Sequence, residues 1–203
     1  MTAFAFPTAP CPINQNFNWT DNRVLAASAL SDAVQVMARA GGYWEVDVQL
    51  PPLTTAEVRA WFAALKRAQT EPVYFSPPYS SALLSGGNPG APLVNGAGQV
   101  GTTLVTDGWT NGYVIQEGDY LSFNNGTFDE LHTIKYGSPV TVDGLGNATL
   151  TLAEPIQRTP PDNAVIRISN ARANFLHVAP AVGFDARLAG LHGLRFKLRS
   201  VTF

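Results

Sequence analysis

The stretch "IQEGDYLSFNNGTFDELHTI", residues 115–134, gathers Glu117, Asp119, Asp129, Glu130 and His132, with Tyr120 and the amide pair Asn124-Asn125 between them. Carboxylates beside a histidine can perform general acid–base catalysis. Two carboxylates at a set separation can cleave a glycoside. The spacing argues otherwise. Adjacent residues on a strand point to opposite faces, so Asp129 and Glu130 do not share one substrate. Glu117 and Asp119 flank Gly118, which is turn composition, and acids at a turn are solvated. The segment reads as strand and turn rather than as a catalytic pair.

The other reactive residues are scattered. His132, His177 and His192 stand far apart, with no His or Cys at ligand spacing, whereas a metal needs several converging donors. There is no Gly-x-Ser-x-Gly, and the single cysteine, Cys11, lies between two prolines. "GGNPGAP" and "NGAGQVG" neither lead from a strand into a helix nor end in Lys-Ser/Thr, so they do not predict a phosphate cradle. "DGLGN", residues 143–147, lacks the repeated Asp ligands and terminal Glu of a calcium loop and predicts a turn. No enzyme activity, cofactor or metal is expected. One binding candidate stands out. Trp109, Tyr113 and Tyr120 could offer flat apolar platforms to a saccharide or receptor; the competing reading is that Trp109 and Tyr113 pack a turn.

Composition sets the frame for these residues. Of 203 residues, 45% are hydrophobic and 14% charged, with a net charge of −2. That supports a core and leaves a weakly charged surface of the kind that ends up against other protein. It gives no field to draw nucleic acid or an acidic membrane. The opening "MTAFAFPTAPCPINQ" has no Lys or Arg and no long apolar run, so neither a signal peptide nor an anchor is expected. The Asn-X-Thr triplets at Asn18, Asn125 and Asn147 then read as turn chemistry rather than glycan acceptors.

The positioning elements are mostly strands. "GGYWEVDVQLPP", residues 41–52, puts Trp44, Val46, Val48 and Leu50 on one face and stops at Pro51-Pro52. A helix over 54–69 follows. Thr54 and Glu57 form a capping box, and Lys66 and Arg67 suit the negative end of the dipole. Val58, Trp61, Phe62 and Leu65 make one apolar stripe, expected to pack on the sheet. "PVYFSPP" predicts a short strand. After the Gly/Pro-rich "SGGNPGAP" the chain reads as short strands: "TTLVTDGW" with a turn signal at Asp107-Gly108, two around residues 117–119, "ELHTIKY", "ATLTLAEPI" and "PDNAVIRIS". The closing "GLRFKLRSVTF" alternates Leu194, Phe196 and Leu198 with Arg195, Lys197 and Arg199. The expected fold is mainly β: a β-sandwich with one packed helix from residues 1–85 and 172–203, and a small inserted β-barrel or sandwich over 86–171.

The ordered set "YWEVDVQLPPLTTAEVRAWFAALKRAQTEPVYF", "PLVNGAGQVGTTLVTDGW", "IQEGDYLSFNNG", "LHTI", "DGLGNATLTLAEPIQRTPPDNAVIRI" and "FLHVAP" resembles the distal-tail or minor-tail proteins of long, non-contractile-tailed bacteriophages. The resemblance covers most of residues 43–180. The stretch "EPVYFSPPYSSALLS" departs from the family's usual pattern after the helix. The resemblance implies a tail-tube-like fold and a structural virion protein of the tail tip. It implies self-association into a hexameric ring that joins the tail tube to the hub and receptor-binding parts. A host-surface glycan or receptor is a further implied partner.

Overall fold

The computed structural model describes residues 3–27, 34–37, 41–78, 87–179, 182–186 and 190–201. The fold is mainly β, with one α-helix among the described residues. The largest sheet has six strands in the order Phe4–Ala5, Val73–Phe75, Ala173–His177, Arg195–Ser200, Tyr43–Gln49 and Asn14–Thr20. The first pair is parallel and the others antiparallel. Alternation decides which face is buried. Phe17 stands opposite Val46, Trp19 opposite Trp44, Phe196 opposite Val48 and Leu198 opposite Val46, all on the inner face. The other face carries Asn14, Asn16 and Asn18 beside Gln49, Asp47 and Glu45, with Arg195, Lys197 and Arg199 on the far side.

The helix, Thr55–Arg67, covers the inner face. The expected capping box is present: Thr54 Oγ1 accepts from the Glu57 N–H, and the Glu57 carboxylate accepts from the Thr54 N–H at 2.8 Å. Val58, Trp61 and Leu65 are buried in one cluster with Trp44, Val46, Val48 and Phe196. The Trp61 ring lies 5.3 Å from Phe6 and 5.9 Å from Phe196. Phe62 corrects the expected stripe. It is only half-buried, meets Phe184 edge to face at 5.6 Å, and lies beneath Lys66 Nζ. Trp61 and Phe62 flank the stripe on opposite sides, about 100° apart, and the sheet covers the Trp61 side. Beyond the helix, the Ala68 carbonyl accepts from His177 N at 2.8 Å and ties the helix end to the sheet.

Val73–Phe75 and Ala173–His177 are neighbours in this sheet, with Phe75 opposite Ala173. The whole 87–171 segment therefore leaves and returns at adjacent strands. Its buried residues form a second cluster that includes Val94, Leu104, Trp109, Phe123, Leu150 and Ile166. The expected junction at residues 85 and 86 lies outside the described residues, as does part of "EPVYFSPPYSSALLS". At the other boundary Ala171 is buried in the first cluster, as is Leu131.

Of the expected small barrel or sandwich, the barrel is not formed: none of the sheets in this segment closes on itself. One joins Asp129–Thr133, Tyr120–Asn124 and Ile166–Arg167; another joins Ala148–Ile156, Gly101–Trp109 and Gly90–Val94; a third pairs Val140–Thr141 with Val114–Ile115. Single bridges, Leu93 to Val165 and Ile134 to Leu152, connect them. Asp107-Gly108 is not a hairpin turn but lies inside a strand, at a bulge. Gly90 faces Trp109 and Leu93 faces Asp107, so one strand carries an extra residue. Gly108 has φ +72°, and a Cβ there would stand 2.5 Å from the Ala91 carbonyl oxygen. Only glycine fits.

Residues 1–40 hold more structure than their composition suggests. Asn14–Thr20 is the edge strand of the main sheet, and Val24–Ala27 pairs with Val34–Met37 as a separate hairpin.

Candidate functional site

The acids and histidine of 115–134 do come together in part, where the second β unit meets the main sheet. Asp129–Thr133 is a strand that begins one residue before the expected "ELHTIKY", and Asp129, Glu130 and His132 on it are all buried. The two adjacent carboxylates point apart, as the strand geometry requires. Asp129 receives Arg172 Nε at 2.7 Å and Asn124 Nδ2 at 2.9 Å, with Arg167 at 3.6 Å. Glu130 accepts from the Asn125 side chain and from the backbone N–H groups of Gln157 and Arg158, at 3.2 and 3.1 Å. Its Oε2 also lies 3.3 Å from His132 Nε2. The His132 ring stacks on Phe123 at 5.1 Å.

Further bonds complete the junction. Glu154 accepts from the Thr133 N–H and hydroxyl at 2.7 and 2.6 Å. Asn174, on the main sheet, accepts from Asp129 N at 2.9 Å, and Ser122 Oγ accepts from Arg172 N at 3.0 Å. Trp44 Nε1 donates to the Leu131 carbonyl at 3.0 Å. The carboxylates thus spend their lone pairs on internal donors, which is what buried charge requires. The gap beside them, lined by Trp19, Glu130, His132 and Gln157 among others, holds only about 20 Å³. That is room for a water, not for a substrate. The arrangement fastens two β units; it does not present reactive groups to a ligand.

The acids at the turn behave separately. Asp119 is buried, and burial pushes its carboxyl up although it accepts from Gln116 N at 2.8 Å. Glu117 is exposed and accepts from Gly137 N at 2.6 Å. His177 is buried in the main sheet, where burial lowers its pKa. His192 lies 3.3 Å from the Thr55 hydroxyl at the start of the helix. Among the described residues no three His, Cys, Asp or Glu side chains converge as a metal site.

The aromatic platform is corrected. Trp109 and Tyr113 are buried and stack on each other at 5.8 Å. Trp109 Nε1 donates to Thr106 Oγ1, whose hydroxyl donates to the Ala148 carbonyl, both at 2.7 Å. Their rings are part of the second core. Tyr120 is half-buried at the junction, its ring 6.2 Å from Trp44. Burial, and the nearby Glu154, raise its phenol pKa. The three rings share no exposed face.

Sequence reasoning misses Asn125, Glu154, Arg172 and Asn174 as members of the junction. Asn125 is visible in the sequence only as a turn residue, and it is one: its side-chain oxygen accepts from Thr127 N and Phe128 N. The outer face of the main sheet carries a shallow polar groove of about 600 Å³, lined by Asn14, Asn16, Asp47, Gln49, Arg195 and Lys197 among others. Lys197 stands 3.7 Å from both Glu45 and Asp47, so charge there is largely balanced. Scanned against family models the chain matches none, and a search of curated proteins gives no match.

Proposed function

We propose that this chain is a structural component of a bacteriophage tail tip, a ring-forming distal-tail protein that joins the tail tube to the hub and receptor-binding parts. The observation that carries this reading is the hairpin Val24–Ala27/Val34–Met37. Leu25, Val34, Val36 and Met37 are each more than half exposed, on both strands of a ladder only two strands wide. An isolated hairpin is marginal in water, and this one displays apolar side chains with no covering layer among the described residues. A neighbouring chain would supply the cover. Copies related by rotation, with the hairpin of one on another surface of the next, close into a ring through heterologous contacts. The charge-poor composition and the internally satisfied acids agree with a protein that works by assembly. The sheet with its packed helix is the part that this reading assigns to the tail-tube-like fold.

Native mass spectrometry of the full chain, with peptide mapping of purified phage particles, tests the proposal. A ring-sized oligomer that Val36→Lys reduces to monomer, together with the chain's presence in particles, is the expected result. A monomer at all concentrations that is also missing from particles would sink it.

A further inference from the structure

We infer that the turn around Tyr136 is a sugar-binding site that takes one or two pyranose rings without an acidic group. Tyr136 is 87% exposed, an unusual setting for so large a ring in a well-anchored turn. The turn is held from two sides and closed by a bond of its own. Lys135 N donates to the Thr151 carbonyl at 2.9 Å, Gly137 N to Glu117 Oε2 at 2.6 Å, and Ser138 N to the Lys135 carbonyl at 3.2 Å. Ile134 is itself bridged to Leu152. The ring is therefore displayed from a firm base, and its face costs little entropy to use.

Beside it lies an open groove of about 390 Å³, lined by Glu117, Gly118, Tyr120, Thr133, Ile134 and Tyr136. Its floor is unobstructed at Gly118, where φ is +81° and no atom lies within 4 Å of a would-be Cβ. The chemistry narrows the ligand. A pyranose has a flat C–H face that packs on an aromatic ring and a rim of hydroxyls that donate to carboxylates. Tyr136 supplies the first, and the Glu117 carboxylate, oriented by Gly137, the second. The lining holds an acid and no cation, so an anionic sugar would be repelled. The groove is shallow and has no deep apolar pocket for a peptide side chain. This site is independent of the ring reading: it needs only the single chain.

Saturation-transfer NMR on the full chain tests it, with maltose, lactose and N,N′-diacetylchitobiose as neutral probes and glucuronic acid as the anionic one. At least one neutral disaccharide should show transfer. Tyr136→Ala should weaken that binding roughly tenfold with an unchanged thermal midpoint, and Tyr136→Phe should retain it. No transfer from any neutral probe at millimolar concentration overturns the site. So does equal binding by Tyr136→Ala, or binding of glucuronic acid as tight as that of the best neutral sugar.

Discussion

The two β units solve the same problem by different means. Around the six-stranded sheet the core is aromatic and broad. Phe6, Trp44, Trp61, Phe175 and Phe196 are buried in it, and Phe17 stacks on Phe75 at 5.8 Å. In a sheet six strands wide most strands are paired on both sides, so side chains are left to fill volume. In residues 87–171 the core is mostly aliphatic and the sheets are narrow, two or three strands each. Narrow sheets leave backbone N–H groups unpaired at their edges and strand ends, and each such buried donor must find an acceptor. Side chains provide them. Glu130 serves Gln157 and Arg158, Glu154 serves Thr133, and Asp119 serves Gln116. Of the buried polar residues among those described, all but Asn174 and His177 lie between positions 106 and 154. A cluster of acids that resembles an active site in sequence accepts, in this unit, the backbone donors that a wider sheet would pair.

This contrast can be broken from either side. The largest effect is expected at Trp61, whose ring is fully enclosed between helix and sheet: Trp61→Ala should cost roughly 3–5 kcal/mol by the usual cavity penalty. Phe62→Ala, at the rim, should cost well under half of that. Urea denaturation of both variants measures the difference, and equal losses would show that the helix does not distinguish a buried face.

Next comes the polar side of the comparison. Glu130→Ala strips an acceptor from two backbone donors and from Asn125, and should cost roughly 3 kcal/mol. Hydrogen exchange should quicken first at Gln157 and Arg158, with the helix amides little changed. Uniform quickening would mean that the two units are not separately supported.

Gly108→Ala tests the bulge. The positive φ and the blocking Ala91 carbonyl should together cost about 2 kcal/mol. Calorimetry should place the loss in the second unit, and a neutral result would mean that the bulge relaxes freely.

The smallest effect lies at the helix cap. Thr54→Ala should cost about 1 kcal/mol, read from the thermal midpoint. The pH dependence there has a defined sign. Bonds from the Thr54 N–H and hydroxyl hold the Glu57 carboxyl below its usual range. Its contribution is therefore complete above the ordinary glutamate pKa and is lost as pH falls through the lowered folded value. Glu57→Gln should flatten that part of the acid limb, and an unchanged pH profile would remove the capping carboxylate from the account.

Much of the first unit is legible in its residues alone. The helix, its capping box and its buried Val58, Trp61 and Leu65 follow from local spacing, because a helix closes its own hydrogen bonds and reports its buried face every three or four residues. The strand at residues 43–49 and the closing strand are equally plain, since each buries one face only. Asn14–Thr20 escapes such a reading for a physical reason. Its three asparagines depress strand propensity, and the signal lies only in the alternation of Phe17 and Trp19 with them. The hairpin beyond it carries apolar residues on exposed positions, a pattern that a rule based on burial within one chain cannot interpret.

The candidate site divides in the same way. That Asp129 and Glu130 would point apart was determined by the sequence, because the period of a strand is local. Which partners met them was not. Arg172 and Asn174 reach Asp129, and Gln157 and Arg158 reach Glu130, across dozens of residues. Local pattern carries no record of such pairings. The same holds for Trp109, Tyr113 and Tyr136. As residue types, all three are flat rings able to meet a ligand, and only the packing of distant strands decided which two were enclosed and which one was left facing water.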